Sequence, residues 1–438
     1  MGKLSGPGRD GLNRFWVLPA VCVVAAVVLA QAVVAVDRVF PDDLSSPWIR
    51  WVYAVGIDGS RSMLTSIGAS MLGVAATAFS ITISVIATTS STYGPRLVRN
   101  FMADRGNQIV LGVLVSTFVY TLLVLRTIRS AEDLAAPFVP HLAVNLALVL
   151  AVADVAVLVY FIHHIAASVQ VDTLVRGARC HFSTVIDRWH PQDTPQETVH
   201  TARLRPGGDV AAGAVGYVVM VDLQRLGALA RGQDVVVELV PRIGDHVLPS
   251  EVLARVRPAG RAQELAEGVR SCVRIADSRS AEQDVRFAEQ QVVEMAVRAL
   301  SPGTNDPYTA VNAVEEVAEG IVAAVSRPRP GDCRVEDGVA RVHYRTVELE
   351  EIVDTPFDQI RPYATDHVPV LQALSDLAAR IEIASIHPEI TARARGHVQV
   401  LLEQFRDSGP HPHDVRRVEQ HIAARRAGLD DHERGAAL

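Results

Sequence analysis

Four long apolar stretches stand out from an otherwise mixed chain, all within its first 165 residues. Residues 15–36, 62–90, 107–128 and 139–162 are nearly free of charge, and each is long enough for the roughly 20 apolar residues that a bilayer-crossing helix needs. A basic start precedes the first stretch, as in a signal peptide. The apolar run is too long for one, however, and continues into Asp37-Arg-Val-Phe-Pro rather than a small-residue cleavage site, so it reads as a retained span. After residue 165 the period changes. A helical pattern over 166–189 leads into a Pro- and Thr-rich linker ending near 208. Strand-like runs follow at 213–222, 234–240 and 247–256, with Asp222 placed to cap a short helix over 223–231.

Residues 272–276 read as a further strand. Ser280 and Gln283 have the spacing of a capping box and open a helix to about residue 300. A second helix over 307–325 carries Val311, Val314, Val317, Ala318 and Ile321 on one face. Residues 339–353 predict a strand pair, and the remainder is mostly helical. The expected fold class is an α-helical membrane domain of four transmembrane helices (1–165) followed by an α+β cytoplasmic region. That region divides into a helical connector and linker (166–199), a small β-rich domain (200–260) and a helix-rich domain (261–438).

Charge sets the expected orientation. The N-terminal tail and the hairpin between the second and third spans are net basic, the latter through Arg96, Arg99 and Arg105 against Asp104. The other two loops hold their arginines beside at least as many acids. By the positive-inside rule both termini are cytoplasmic, in a multi-pass protein of the inner (plasma) membrane. Trp48, Trp51 and Tyr53 resemble an interfacial aromatic belt.

Composition removes several functions. Hydrophobic residues make up 49% of the chain but aromatic ones only 5%, so the spans are built from Ala, Val and Leu and can pack closely. The net charge of −7 comes from interspersed residues of both signs and leaves no footprint for nucleic acid. The only lysine is Lys3, which excludes a Schiff-base, biotinyl, lipoyl or P-loop lysine from the folded body. Cys22, Cys180, Cys272 and Cys333 are scattered and form no C-x-x-C pair. No zinc-protease, serine-hydrolase or nucleotide-loop motif occurs, so neither catalytic residues nor a metal or other cofactor is expected.

Three constellations remain. The string Ser301-Pro302-Gly303-Thr304-Asn305-Asp306-Pro307 ends one helix and starts another: Pro302 and Gly303 stop the first, Asn305 or Asp306 caps the second, and Pro307 suits its first position. It is either a helix cap alone or a loop that binds a small ion, polar ligand or partner, with Asp284, Arg286 and Arg298 as possible contributors. In the second span Ser66, Ser70, Gly73, Thr77, Ser80, Ser84 and Thr88 recur at spacings of three and four, a small hydroxyl-bearing stripe on one face. Such a stripe serves close helix packing, or lines a narrow hydrated path in a homo-oligomer. Asp154 lies deep in the fourth span, where a carboxylate is costly and faces a partner, a cavity or a proton path.

The string Arg298-Ala-Leu-Ser-Pro-Gly-Thr-Asn-Asp-Pro-Tyr-Thr-Ala310 resembles the signature of a bacterial predicted-membrane-protein family, domain of unknown function 2254. The hairpin Tyr93-Gly-Pro-Arg96-Leu-Val-Arg99-Asn100-Phe-Met-Ala-Asp-Arg-Gly-Asn-Gln108 is similar to that family's second hallmark, and residues 117–126 match the segment after it. Asp284 sits where the family has an acid upstream of the signature helix, and Tyr308 stands where the family tends to have Phe. The resemblance implies membrane topology and a shared cytoplasmic domain; it brings no activity. The expected function is a homo-oligomeric channel or transporter-like protein with Asp154, Thr77, Ser80 and Ser84 on a polar path. A membrane-anchored sensor or scaffold acting through the signature loop is the rival.

Overall fold

The computed structural model describes residues 16–39, 56–93, 104–129, 138–168, 171–190 and 206–436. The chain divides into two compact units, residues 1–170 and 171–438.

The first unit contains four helices: α1 (Val17–Val39), α2 (Ile57–Tyr93), α3 (Arg105–Leu125) and α4 (His141–Ser168). All four are long and apolar enough to cross a membrane. With 37 residues, α2 is about 55 Å long at 1.5 Å per residue, well beyond a hydrocarbon core of about 30 Å. The four helices do not share burial equally. Half of the apolar core of α3 is buried, against 22% or less for the others, and α3 contacts each of the other three.

The sequence of α3 accounts for this central place. Its small and hydroxyl residues let backbones approach without a hydrophobic drive, which lipid does not provide between helices. A Cβ on Gly112 would come within 2.9 Å of Cys22 Sγ and 3.1 Å of the Pro19 backbone on α1. On α2, a Cβ at Gly68 would lie 2.9 Å from Thr121 Oγ1 of α3. Tyr120, fully buried, donates to the Ala143 carbonyl of α4 at 3.0 Å. A tie hidden in sequence joins α1 to α4: Asp37 accepts from the Leu142 and Ala143 amides at 3.1 and 3.0 Å and so caps the α4 N-terminus from another helix.

The second unit starts with α5 (Val171–Trp189), expected as a connector leading away from the bilayer. It packs against two helices of the second unit, α8 (Val285–Ala299) and α9 (Pro307–Val325). Phe182 is fully buried against Gly320, where a Cβ would collide with its ring. The amphipathic stripe of Val175, Ala178, Phe182, Val185 and Ile186 needs a partner, and the helical body provides it.

Between α5 and α8 run β1 (Gly208–Ala211), β2 (Gly216–Val221), α6 (Leu223–Gly232), β3 (Val236–Leu239), β4 (His246–Val247), β5 (Val252–Arg257), α7 (Ala262–Arg270) and β6 (Val273–Ala276). Asp222 caps α6 as expected, accepting from the Arg225 amide at 3.0 Å. After α9 come β7 (Cys333–Glu336), β8 (Val339–His343), α10 (Leu349–Ala364), α11 (Val368–Ala384), α12 (Pro388–Asp407) and α13 (Pro412–Ala436). The strand pair expected over 339–353 is thus the hairpin β7–β8, turning at Asp337 and Gly338, both with positive φ, and helix begins by residue 349.

The strands form a five-stranded sheet ordered β1-β5-β3-β8-β7 and a three-stranded sheet ordered β4-β2-β6. The β3–β8 pair is parallel and the other pairs are antiparallel. Both sheets use strands on each side of residue 260, because β8 and β6 complete them from later in the chain. Leu226, Val237, Leu253, Val256, Val269 and Val342 share one core with α6 and α7.

Candidate functional site

Both signature acids are helix caps. Asp284 opens α8: its Oδ1 accepts from the Phe287 amide at 3.1 Å, while Arg279 clamps the carboxylate from the other side at 2.8 and 3.0 Å. Only 1% of Asp284 is exposed. The helix therefore begins one turn later than the Ser280 spacing predicts, because a charged, arginine-held cap outcompetes a serine. Gln283 is drawn elsewhere, its Oε1 accepting from the Val221 amide at 2.9 Å. Gly244, at φ +91°, lies against Asp284 with no room for a Cβ.

At the far end of α8 the signature closes on itself. Ser301 Oγ donates to the Arg298 carbonyl at 2.7 Å and lies 3.3 Å from Thr304 Oγ1; the Thr304 and Asn305 amides donate to the Ser301 carbonyl. Asn305 takes a positive φ of 47°, a conformation that asparagine tolerates better than most side chains. Asp306 caps α9, accepting from the Thr309 amide at 3.1 Å and the Thr309 hydroxyl at 2.5 Å, and these bonds hold its carboxyl below the usual range. Pro307 occupies the first turn, where its missing amide hydrogen costs nothing. Pro302, Gly303, Thr304 and Asn305 are exposed, as is Tyr308 at 73%.

Asp284 and Asp306 do not meet. They stand at opposite ends of the 15-residue α8, about 22 Å apart along its axis, so they make no common ion pocket. Arg286 is at the Asp284 end, bonded to Asp245 at 2.6 Å, while Arg298 pairs with Glu294 at 2.9 Å. Among the described residues no group of three or more His, Cys, Asp or Glu could hold a metal ion.

In the first unit the predicted polar residues separate into an outside and an inside. Ser66, Ser70, Gly73, Thr77, Ser80, Ser84 and Thr88 are all exposed, on the face of α2 turned away from its own bundle. Leu64, Gly68, Ala75, Ala78 and Thr82 form the opposite, buried face. Thr77 and Thr88 each return a hydroxyl to the carbonyl four residues earlier, both at 3.0 Å. Asp154 is inside: 2% exposed, beside the Thr117 hydroxyl of α3, with Oδ2 lacking a hydrogen-bond partner among the described residues. Asp154 and the stripe therefore do not share a surface within one chain. Of the hairpin residues, Arg96, Arg99 and Asn100 lie outside the described residues, and Tyr93 is the last residue of α2.

Sequence reading missed two polar features. Asp104 caps α3 through the Gly106 amide at 2.8 Å and pairs with His164 of α4 at 2.5 Å; Gly106 has no Cβ because the His164 ring fills that space. No sequence pattern links residues 60 positions apart. Glu289, 1% exposed with Oε1 unpartnered, was more accessible to reading, since it lies on the α8 face marked by Val285, Val292 and Ala296. Burial, with Glu351 and Asp354 nearby, raises its carboxyl well above the ordinary range, against a lowering contribution from Thr355.

Comparison with known proteins supplies family rather than activity. The uncharacterized proteins Mb1321c of Mycobacterium bovis and Rv1290c of Mycobacterium tuberculosis are each 30% identical to this chain over 352 residues, covering 78% of it and 67% of the relative. No solved structure matches. The described family, predicted membrane protein (DUF2254), matches residues 12–380, which takes in all four apolar helices and both signature caps. The chain belongs to the predicted membrane protein family DUF2254.

Proposed function

We propose that the protein is a homo-oligomeric channel or transporter-like protein of the cell inner membrane, with both termini and the second unit cytoplasmic. The observation that carries this reading is the exposure of the whole hydroxyl stripe of α2, from Ser66 to Thr88. A monomer would turn that stripe to lipid, where small hydroxyl residues gain little. Facing the same stripe on neighbouring copies, they allow close helix approach and wet a narrow path. The basic hairpin of Arg96 and Arg99 would form the cytoplasmic mouth of that path. Asp154, inside each bundle, would act on the path through α3 and α2 rather than line it. The second unit would assemble or gate the oligomer, and no catalytic step enters the reading.

Ion flux through purified protein in liposomes tests it. Flux that Thr77→Trp blocks, with cross-linked oligomers retained, supports the conduit. Absence of flux for Na+, K+, H+ and Cl− from folded, inserted protein overturns it. The exposed turn 302–305 with Tyr308 favours one second reading, a membrane-anchored scaffold or sensor binding a partner there. In that case Tyr308→Ala would abolish binding while Thr77→Trp would change nothing.

A further inference from the structure

A cavity of about 20 Å³ opens in the second unit where four separate segments converge. Trp189 and His190 come from the end of α5, Gln283 and Val285 from the start of α8, Arg242 and Ile243 from the turn after β3, and Arg345, Thr346 and Val347 from the segment before α10. The space suits one water or one monatomic ion rather than an organic ligand.

Its polar lining is cationic and incompletely used. Arg242 gives one terminal nitrogen to Glu351 at 2.8 Å, but its Nε is buried without a partner among the described residues. His190 is 1% exposed, and its Nδ1 also lacks a partner among the described residues. Arg345 makes no hydrogen bond or ion pair among the described residues. The neighbouring carboxylates are already engaged: Glu351 by Arg242, Asp284 by Arg279 and Asp187 by Arg327. Burial lowers the His190 ring to about 4, and the Arg327 guanidinium pushes in the same direction. A half-buried site lined by two arginines, with unused donors on Arg242 and His190 and room for one ion, is an anion site by its chemistry.

We propose that this cavity binds one monovalent anion of halide size, held by the Arg242 and Arg345 guanidiniums and the His190 ring. The anion bridges the Arg345 guanidinium at the rim to Arg242 and His190 inside and pins the end of α5 to the start of the signature helix α8. This proposal is independent of any conduction path.

The test uses the full-length protein in detergent, with melting followed as sodium bromide replaces sodium gluconate at constant ionic strength. Bromide is expected to raise the melting temperature saturably and to quench Trp189 fluorescence, identified by subtraction with Trp189→Phe. Arg345→Gln is expected to weaken apparent bromide affinity at least tenfold, and Arg345→Glu to abolish the effect. Because the Arg345 side chain is exposed and carries no described contact, neither variant threatens folding. Equal melting in bromide and gluconate would mean that the cavity holds water only. That result, or a bromide effect undiminished in Arg345→Glu, overturns the proposal.

Discussion

Asp154 and Asp284 are both aspartates with almost no exposure, 2% and 1%, yet their surroundings differ completely. Asp284 is saturated: an amide and a bidentate arginine take up its oxygens, and a glycine turn closes over it. Asp154 has a threonine neighbour and an oxygen with no partner. The contrast extends to the units. In the second, polar caps and arginine pairs fasten helices to strands, although Glu289, His190, Gln291 and His343 each keep a buried atom without a partner among the described residues. In the first, small residues bring the helices together, and polar atoms of Asn107, Ser60 and Asp154 find no partner among the described residues. A saturated buried acid holds structure. An unsatisfied one in a membrane bundle is costly without such a return, and that makes Asp154 the better candidate for function.

The strongest way to break this contrast is Asp284→Ala, which leaves Arg279 and the α8 N-terminus without their partner. It is expected to cost about 3 kcal/mol or more in chemical or thermal unfolding. A loss well below 1 kcal/mol would mean that the cap is dispensable.

Next in size is the pH dependence from His190. Its folded value of about 4 lies below its ordinary 6.5, so the unfolded chain binds more protons between them. Stability from this group is therefore complete above pH 6.5 and is lost as pH falls toward 4, by roughly 3 kcal/mol in all. His190→Gln should flatten that acid limb. Glu289 works in the opposite sense: its raised value means that stability falls as pH rises from 4.5 into the raised range. Glu289→Gln should remove that slope, and an unchanged alkaline limb would show the side chain to be charged and compensated.

Asp306→Ala removes a more exposed cap and should cost about 1 kcal/mol. A melting curve unchanged by this substitution, accompanied by loss of a bound partner, would move the signature turn from structure to recognition. The smallest stability effect belongs to Asp154→Asn, expected within about 0.5 kcal/mol because no paired charge is broken. Its effect should appear in liposome flux instead. A large loss of stability without a change in flux would place Asp154 in the same class as Asp284.

Much of the architecture was legible in the sequence because each feature depended on neighbours along the chain. The apolar runs marked all four long helices, Asp222 announced its cap, Asn305 or Asp306 the next one, and Pro307 its helix start. The period-three-and-four stripe on α2 could be read as a stripe, since helical geometry places those residues on one face whatever surrounds them. Its direction could not. Only the packing of Gly68 and Ala75 toward the other helices turned Ser66, Thr77 and Ser84 outward and set them apart from Asp154.

The pairings between distant residues belonged to the tertiary structure alone. Asp37 capping α4, Asp104 meeting His164, Arg279 clamping Asp284 under the Gly244 turn, and β8 completing a sheet begun more than a hundred residues earlier leave no local period to detect. Sequence fixes which residues want burial, a cap or a counter-charge, because those wants arise from each side chain and its helix or strand. Which partner satisfies them depends on chain segments brought together in space, and here that decided which acids are structural and which remain unspent.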